Sequence, residues 1–243
     1  MKLTLAQVII EPDPTKNKEK MLSVLQAAEK DEWVIFPEGT LSGYFPEQDG
    51  YFKDLDKAEL EDAVAHIAEV VKQRECHCLY GTATYASDDV LNSVVIESYE
   101  QARQLYHKIE LSALDRQHFE SGSDVPVYKL GNVTFGVQVC RELLFPEAWR
   151  SLKKRGAQVV FHINNALKDH DQVWRHVSIA RGVENANFVC SMNNGASPQK
   201  LSSHVVSPNG AVLLETEPSQ EQTLSVDIDL SNVIDDLAHR GDF

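Results

Sequence analysis

Apolar residues along this chain fall into short solid runs and into longer stretches with helical spacing. Lys2 to Ile10 alternates loosely and is rich in Leu, Val and Ile, which predicts a strand, and Glu11-Pro12-Asp13-Pro14 breaks it. Thr15 is the expected N-cap of a helix running to Lys30, with Met21, Leu22, Leu25 and Ala28 on one face. Trp33-Val34-Ile35-Phe36 is a fully apolar run of the kind buried on both faces of a layered sheet, and it stops at Pro37-Glu38-Gly39. Leu41 to Asp56, rich in Gly, Pro and aromatic residues, reads as a structured loop fit to wall a pocket. Lys57 to Arg74 spaces Leu60, Val64, Ile67 and Val71 for the buried face of a second helix.

Strands follow at Cys78 to Tyr85, Leu91 to Glu97 and Gln104 to His107, joined by Ser87-Asp88-Asp89 and Tyr99-Glu100. Leu111 to Asp124 is a long polar connection, which in a compact fold marks function or disorder. Val125 to Leu130 and Val133 to Val139 form a hairpin around Gly131-Asn132, and Cys140 closes its second strand. A helix over Glu147 to Arg155 ends near Gly156, and Gln158 to Ile163 is a further buried strand before Asn164-Asn165. Asp171 to Asn187 is a helix, and Phe188 to Met192 a strand ending in Asn193-Asn194-Gly195. His204 to Ser207 and Val212 to Glu215 pair across Pro208-Asn209-Gly210, Thr223 to Ile228 adds a strand, and Asp229 to Phe243 is expected to be a short acidic helix that frays. About a dozen strands and about four helices alternate in pairs, which predicts α/β layering with helices covering sheets. With no linker, repeat or low-complexity tract in view, residues 1–243 read as one domain.

Composition narrows the partners. Lys plus Arg is 23 against 37 for Asp plus Glu, a formal net charge of −14 that argues against nucleic acid and anionic membranes. Four unevenly spaced cysteines do not make a disulfide framework and suggest reduced thiols in the cytoplasm. The first ten residues lack the apolar core and cleavage site of a signal peptide, and no run approaches the ~20 apolar residues of a membrane span.

The chemistry candidates stand at strand ends. Gly136-Val137-Gln138-Val139-Cys140 is an apolar run stopped by a thiol, after which Arg141-Glu142 leads to Pro146-Glu147 and a helix. A thiol at such a turn, near a helix N-terminus, is exposed and has a lowered pKa. A buried core cysteine is the ordinary alternative. Glu38 ends one buried strand and Lys108 follows another; each is by default a solvated side chain, but loops at strand ends are where sheet enzymes place their chemistry. Cys76-His77-Cys78 resembles half a metal site with no second pair at zinc-like spacing, so it reads as a strand start and no metal is expected.

Taken in order, these segments resemble the nitrilase superfamily of carbon–nitrogen hydrolases over nearly the whole chain. The resemblance is carried by Leu5-Ala6-Gln7, Phe36-Pro37-Glu38 with Ser42-Gly43-Tyr44, Tyr106-His107-Lys108-Ile109-Glu110-Leu111, and Gly136 through Glu147. It continues through Gly156-Ala157, Ala180-Arg181-Gly182-Val183-Glu184-Asn185, Asn193-Asn194-Gly195 and Ser207-Pro208-Asn209-Gly210. It implies a four-layer α-β-β-α sandwich, usually paired through helices into a homodimer, here by those near Trp149 and Trp174. It also implies a Glu, Lys and Cys catalytic set at Glu38, Lys108 and Cys140. A second acid, commonly Glu in the family, falls on Asp115, with Glu110 and Glu120 as alternatives.

The implied reaction is hydrolysis of a non-peptide C–N bond, in a small amide or N-carbamoyl compound, through a cysteine thioester that releases ammonia. Cys140-Arg141-Glu142, where nitrilases tend to carry Cys-Trp-Glu, counts against a nitrile. Lys108 and a backbone N–H just after Cys140, that of Arg141, would face the oxyanion, and no cofactor is required. Arg141, Arg116, His118 and His162 are candidates for an acidic substrate tail, Asn164 and Asn165 for the substrate amide, while Cys190 reads as core. Acyl transfer from the same thioester to an amine, and a catalytically weak scaffold, are the rival readings.

Overall fold

The computed structural model describes residues 1–87, 89–166 and 171–233. Two six-stranded mixed sheets lie face to face. Around one run, in spatial order, β12 (Gln222–Asp227), β1 (Lys2–Gln7), β2 (Trp33–Ile35), β3 (His77–Ala86), β4 (Asp89–Ser98) and β5 (Gln104–His107). The other contains β11 (Val212–Glu215), β10 (His204–Val206), β9 (Phe188–Met192), β8 (Val159–Ile163), β7 (Val133–Val139) and β6 (Val127–Leu130). The inner strands pair in parallel, β1 with β2 and β2 with β3, β7 with β8 and β8 with β9, so their C-terminal ends gather at one edge.

Strand alternation decides which side each residue serves. Leu3 and Leu5 of β1, Ile35 of β2 and Leu79 of β3 meet Val137, Val139, Phe161 and Cys190 from the opposite sheet in one buried cluster. Trp33 crosses this seam, its ring stacked on Phe161 at 5.4 Å and edge-on to Phe135 at 5.1 Å. Truncating such a ring costs about 3–5 kcal/mol. On the outer face of the first sheet, α1 (Pro14–Gln26) and α3 (Lys57–Arg74) bury Met21, Leu25, Ile67 and Val71 against Val34 and Cys78. On the outer face of the second, α4 (Pro146–Lys154) and α5 (Asp171–Asn185) bury Trp149, Leu152 and Trp174 against Val160 and Val189. The result is the expected α-β-β-α sandwich.

Local differences from the sequence reading have simple causes. Asp13, not Thr15, caps α1: its carboxylate accepts from Thr15 N and Lys16 N, because Pro14, with no N–H to lose, takes the first helical position. The Leu41–Asp56 stretch is not wholly loop, since Tyr51–Asp54 makes one helical turn, α2, that buries Phe52. Cys140 does not close β7 but opens a 3-10 turn over Cys140–Leu144. Cys76 and Cys78 are buried around His77, whose Nδ1 meets Ser98 Oγ at 3.0 Å. Trp149 and Trp174 are buried within the chain, so any pairing through these helices uses other side chains. Of the acidic tail, Leu230–Asn232 forms a 3-10 turn; residues 234–243, like Asp88, lie outside the described residues. Among the described residues no helix is long and apolar enough to cross a membrane.

Candidate active site

Three strand ends deliver three functional groups. Beyond β2, the chain turns at Pro37 and brings the Glu38 carboxylate into the space between the sheets' edges, fully buried. Its backbone is fixed from both sides: Glu38 N donates to Asn164 O at 3.1 Å and Gly81 N donates to Pro37 O at 3.0 Å. The side chain accepts three hydrogen bonds and keeps one acceptor site on Oε2. Glu38 Oε1 takes Lys108 Nζ at 2.8 Å and Asn92 Nδ2 at 2.7 Å, and Oε2 takes Asn165 N at 3.0 Å.

Lys108 follows β5 and is locked by Lys108 N donating to Asn92 O at 2.9 Å. Its ammonium is also fully buried, 2.8 Å from both Glu38 Oε1 and Asp115 Oδ2. Burial alone would discharge it, but the Glu38 and Asp115 carboxylates outweigh burial and hold the ammonium well above the usual lysine value. Asp115 opens a short 3-10 turn, Asp115–Gln117, tied by Ser112 N to its Oδ2 at 2.8 Å and by Asp115 N to Ser112 Oγ at 3.0 Å. Tyr44 Oη donates to Asp115 Oδ1 at 2.5 Å. Burial raises this carboxyl, yet Lys108 and these donors win and keep it below the usual carboxylate range. Of the three acids considered, Asp115 pairs with Lys108; Glu110 is only half-buried and Glu120 exposed.

Cys140 stands at the end of β7 with φ 52°, a left-handed backbone uncommon outside glycine. It is the one cysteine of the four with access to the surface. The expected lowering of its pKa is not found. Burial first and Glu38 second push the thiol above the usual cysteine value, and Lys108 only partly offsets them. Glu38, Asp115 and Lys108 together carry one net negative charge, so a thiolate there would be a second anion. The arrangement suits a neutral thiol that gives up its proton as it attacks, not a resting thiolate.

Sequence reasoning missed the brace beneath these groups. Glu142, buried two residues past Cys140, accepts from Val139 N at 2.6 Å, from Ile109 N at 2.7 Å and from Tyr106 Oη at 2.8 Å. It ties the strand end bearing Cys140 to the one bearing Lys108. An acid followed by no cation in a buried turn was the available signal. Asn92 and Tyr44 were missed as well, because a residue in mid-strand or in a loop carries no positional mark.

Above Cys140 opens a cleft of about 510 Å³, lined among the described residues by the apolar Leu114, Leu144, Val173 and Trp174. Arg141 is in its wall, the Nη1 donating to Leu111 O at 2.8 Å and the guanidinium 5.5 Å from the Phe145 ring. Asn165 lines the cleft but Asn164, expected to meet substrate, does not: its Nδ2 turns to Ser191 Oγ at 3.1 Å and its backbone carbonyl is spent on Glu38. Arg116 is exposed, His118 is held by Pro46 O at 2.7 Å, and His162 is buried behind Cys140. A larger cleft of about 750 Å³ near Phe188 and Asp227 contains none of the acids, lysine or thiol described above.

Known proteins resemble this chain along most of its length. A probable nitrilase of Schizosaccharomyces pombe is 26% identical over 96% of this chain and 90% of its own length. A 2-oxoglutaramate amidase of Bacillus subtilis is 27% identical over 89% of this chain and 86% of its own. Among solved structures, a variant of an amidase from Nesterenkonia sp. AN1, bearing the acetamide moiety of fluoroacetamide on its active-site cysteine, superposes with a TM-score of 0.85. The two share 21% identity over 99% of this chain and 96% of that one. The profile of the family described as carbon-nitrogen hydrolase matches residues 2–236, and the chain belongs to that family.

Proposed function

We propose that this protein hydrolyses small non-peptide amides or N-carbamoyl compounds through a thioester on Cys140, releasing ammonia. One observation carries the reading: a fully buried Lys108 ammonium held 2.8 Å from each of two carboxylates, at the strand ends that flank an accessible thiol. Packing alone gives no reason to bury those charges together. Cys140 Sγ attacks the carbonyl carbon while Glu38 takes the thiol proton and passes it to the leaving nitrogen. The C–N bond breaks, ammonia leaves and the S–C bond persists as the thioester. Glu38 then deprotonates the water that adds to the thioester, and the proton returns to sulfur as the acid departs. Lys108 and the Arg141 N–H stabilise the oxyanion in both halves, and Asp115 keeps Lys108 charged and in place.

The cleft supports a finer reading. Its described walls are mostly apolar, with Ser112 and Asn165 among them, and contain one arginine with no carboxylate partner among the described residues. Arg141 therefore suits the carboxylate of a short amide that carries an acid at its far end, a chemistry shared with the substrate named for the B. subtilis relative. We further propose a cytoplasmic homodimer of one-domain chains, supported by four free thiols and by the exposed Val183 of α5 beside Leu213 of β11. The deciding test is ammonia release from short amides, ω-amides of dicarboxylic acids, N-carbamoyl amino acids and nitriles, with wild type and Cys140→Ala side by side. Release by the wild type alone supports the thioester route; activity surviving in Cys140→Ala sinks it.

A further inference from the structure

One ionisable group touching the nucleophile has no part in the chemistry assigned to Glu38, Lys108 and Asp115. His162 lies on β8 opposite Gln138 of β7, fully buried between the indoles of Trp149 and Trp174, at 5.8 and 6.2 Å. Its Nε2 is 2.8 Å from the carbonyl oxygen of Cys140. A carbonyl oxygen only accepts, so Nε2 carries the proton and donates. Nδ1 is then the acceptor, and two donors face it: Asn164 Nδ2 and Ser191 Oγ, each at 3.1 Å. Burial pushes the imidazole down to about 3, which keeps the ring neutral in this one tautomer.

The peptide between Cys140 and Arg141 is planar and trans, so the Cys140 carbonyl and the Arg141 N–H point in opposite directions. At φ 52° the Cys140 backbone is in a region that a non-glycine residue holds only when its surroundings insist. His162 grips the carbonyl from the helix side of the sheet. The Arg141 N–H is thereby turned to the opposite side, where it favours the charged form of the Cys140 sulfur.

We propose that His162 is a positioning residue whose Nε2–H holds the Cys140 carbonyl and so aims the Arg141 N–H at the oxyanion formed when Cys140 attacks an acyl carbon. The proposal rests on Cys140 being the acyl-accepting nucleophile, and it needs no knowledge of the natural substrate. Two reactions of the same sulfur separate aim from access. Acylation by p-nitrophenyl acetate passes through a tetrahedral oxyanion, whereas alkylation by iodoacetamide is a direct displacement with none.

Both rates are measured on wild type, His162→Phe, His162→Met and His162→Gln, with thermal melting as the control for folding. Met fills the site flexibly should the Phe ring prevent folding. The two donor-free variants are expected to lose on the order of tenfold to a hundredfold in acylation, less than or equal to removal of an oxyanion donor itself. Alkylation should stay within about threefold, and His162→Gln, which keeps an N–H donor, should regain most of the acylation rate. Unchanged acylation in both donor-free variants, or acylation and alkylation falling by the same factor, overturns the proposal. Failure of the amide-hydrolase reading shows elsewhere, as no ammonia release by the wild type.

Discussion

Lys108 and Asp115, seven residues apart, form an ion pair at 2.8 Å with both side chains fully shut off from water. Two opposed charges in such a place support each other, and removing Asp115 leaves the Lys108 ammonium with Glu38 alone in a poor solvent. Asp115→Asn is expected to destabilise the fold at pH 7, by less than the roughly 3–5 kcal/mol of a buried charge left wholly unpaired, since Glu38 still faces Lys108. It should also slow turnover, because Lys108 keeps only Glu38 to hold it cationic. The folded Asp115 carboxyl titrates below its unfolded value. Its contribution is thus fully present above about pH 4 and is lost as pH falls through the folded value. Urea unfolding of both proteins at pH 7 and pH 3 checks this: the difference between them should shrink toward the acid end.

Gly81 of β3 passes directly under the turn that carries Glu38. A Cβ there would lie 2.2 Å from Gly39 N and 2.5 Å from Glu38 Cα, both backbone atoms that cannot step aside. Gly81→Ala must therefore displace the strand end that carries Glu38. A shift of about 1 Å in a reacting group costs on the order of a hundredfold in rate. Ammonia release should drop by that factor or more, while Gly136→Ala, which meets only the flexible tip of Leu152, should be milder. Equal activity in the two variants would refute the argument.

Much of this site was readable before the fold was known, and the parts that were not share a cause. Glu38 and Cys140 each end an apolar run and Lys108 follows the short strand Gln104–His107, so the strand pattern points at them and the resemblance names them. Asp115 is in a polar connection with no period, and only its 2.8 Å contact with Lys108 sets it apart from Glu110 and Glu120. The expected drop in the Cys140 pKa failed because sequence places the thiol at a turn but shows neither how deeply the fold buries it nor the Glu38 carboxylate beside it. Asn164 and Asn165 are adjacent just past the end of β8, and one side chain turns back to Ser191 while the other lines the cleft. Which is which is set by partners far away in the chain, Met192 and Glu38, that hold the backbone there.

Acid should weaken the protein over a window set by its buried imidazoles. His162 is pushed down to about 3 in the fold against about 6.5 in the unfolded chain, and His204 is lowered as well, in both cases by burial. Between these values the unfolded state binds the proton and the folded state does not, so stability falls as pH drops from about 6.5 toward 3. The limiting slope is roughly 1.4 kcal/mol per pH unit for each such group. Melting temperature measured from pH 8 to pH 4 should fall less steeply for His162→Gln than for the wild type. Parallel curves would mean that His162 takes up its proton in the folded state.

Arg141 offers the sharpest separation of binding from chemistry. Its guanidinium is anchored at one corner by Leu111 O and flanked by Phe145, in the wall of the cleft, and its other donors have no partner among the described residues. Hydrogen bonds to a charged group contribute about 1.5–3 kcal/mol, equivalent to roughly ten- to a hundredfold in affinity. Arg141→Gln keeps the backbone N–H that faces the sulfur and removes the positive charge. For an ω-amide carrying a carboxylate, KM should rise by that factor with kcat nearly unchanged, the signature of binding shared equally by ground state and transition state. For a neutral amide such as butyramide, both constants should hold within about twofold. A loss of kcat on both substrates would instead mean that the side chain supports the Cys140 turn, and the acid-bearing substrate class would have to be abandoned.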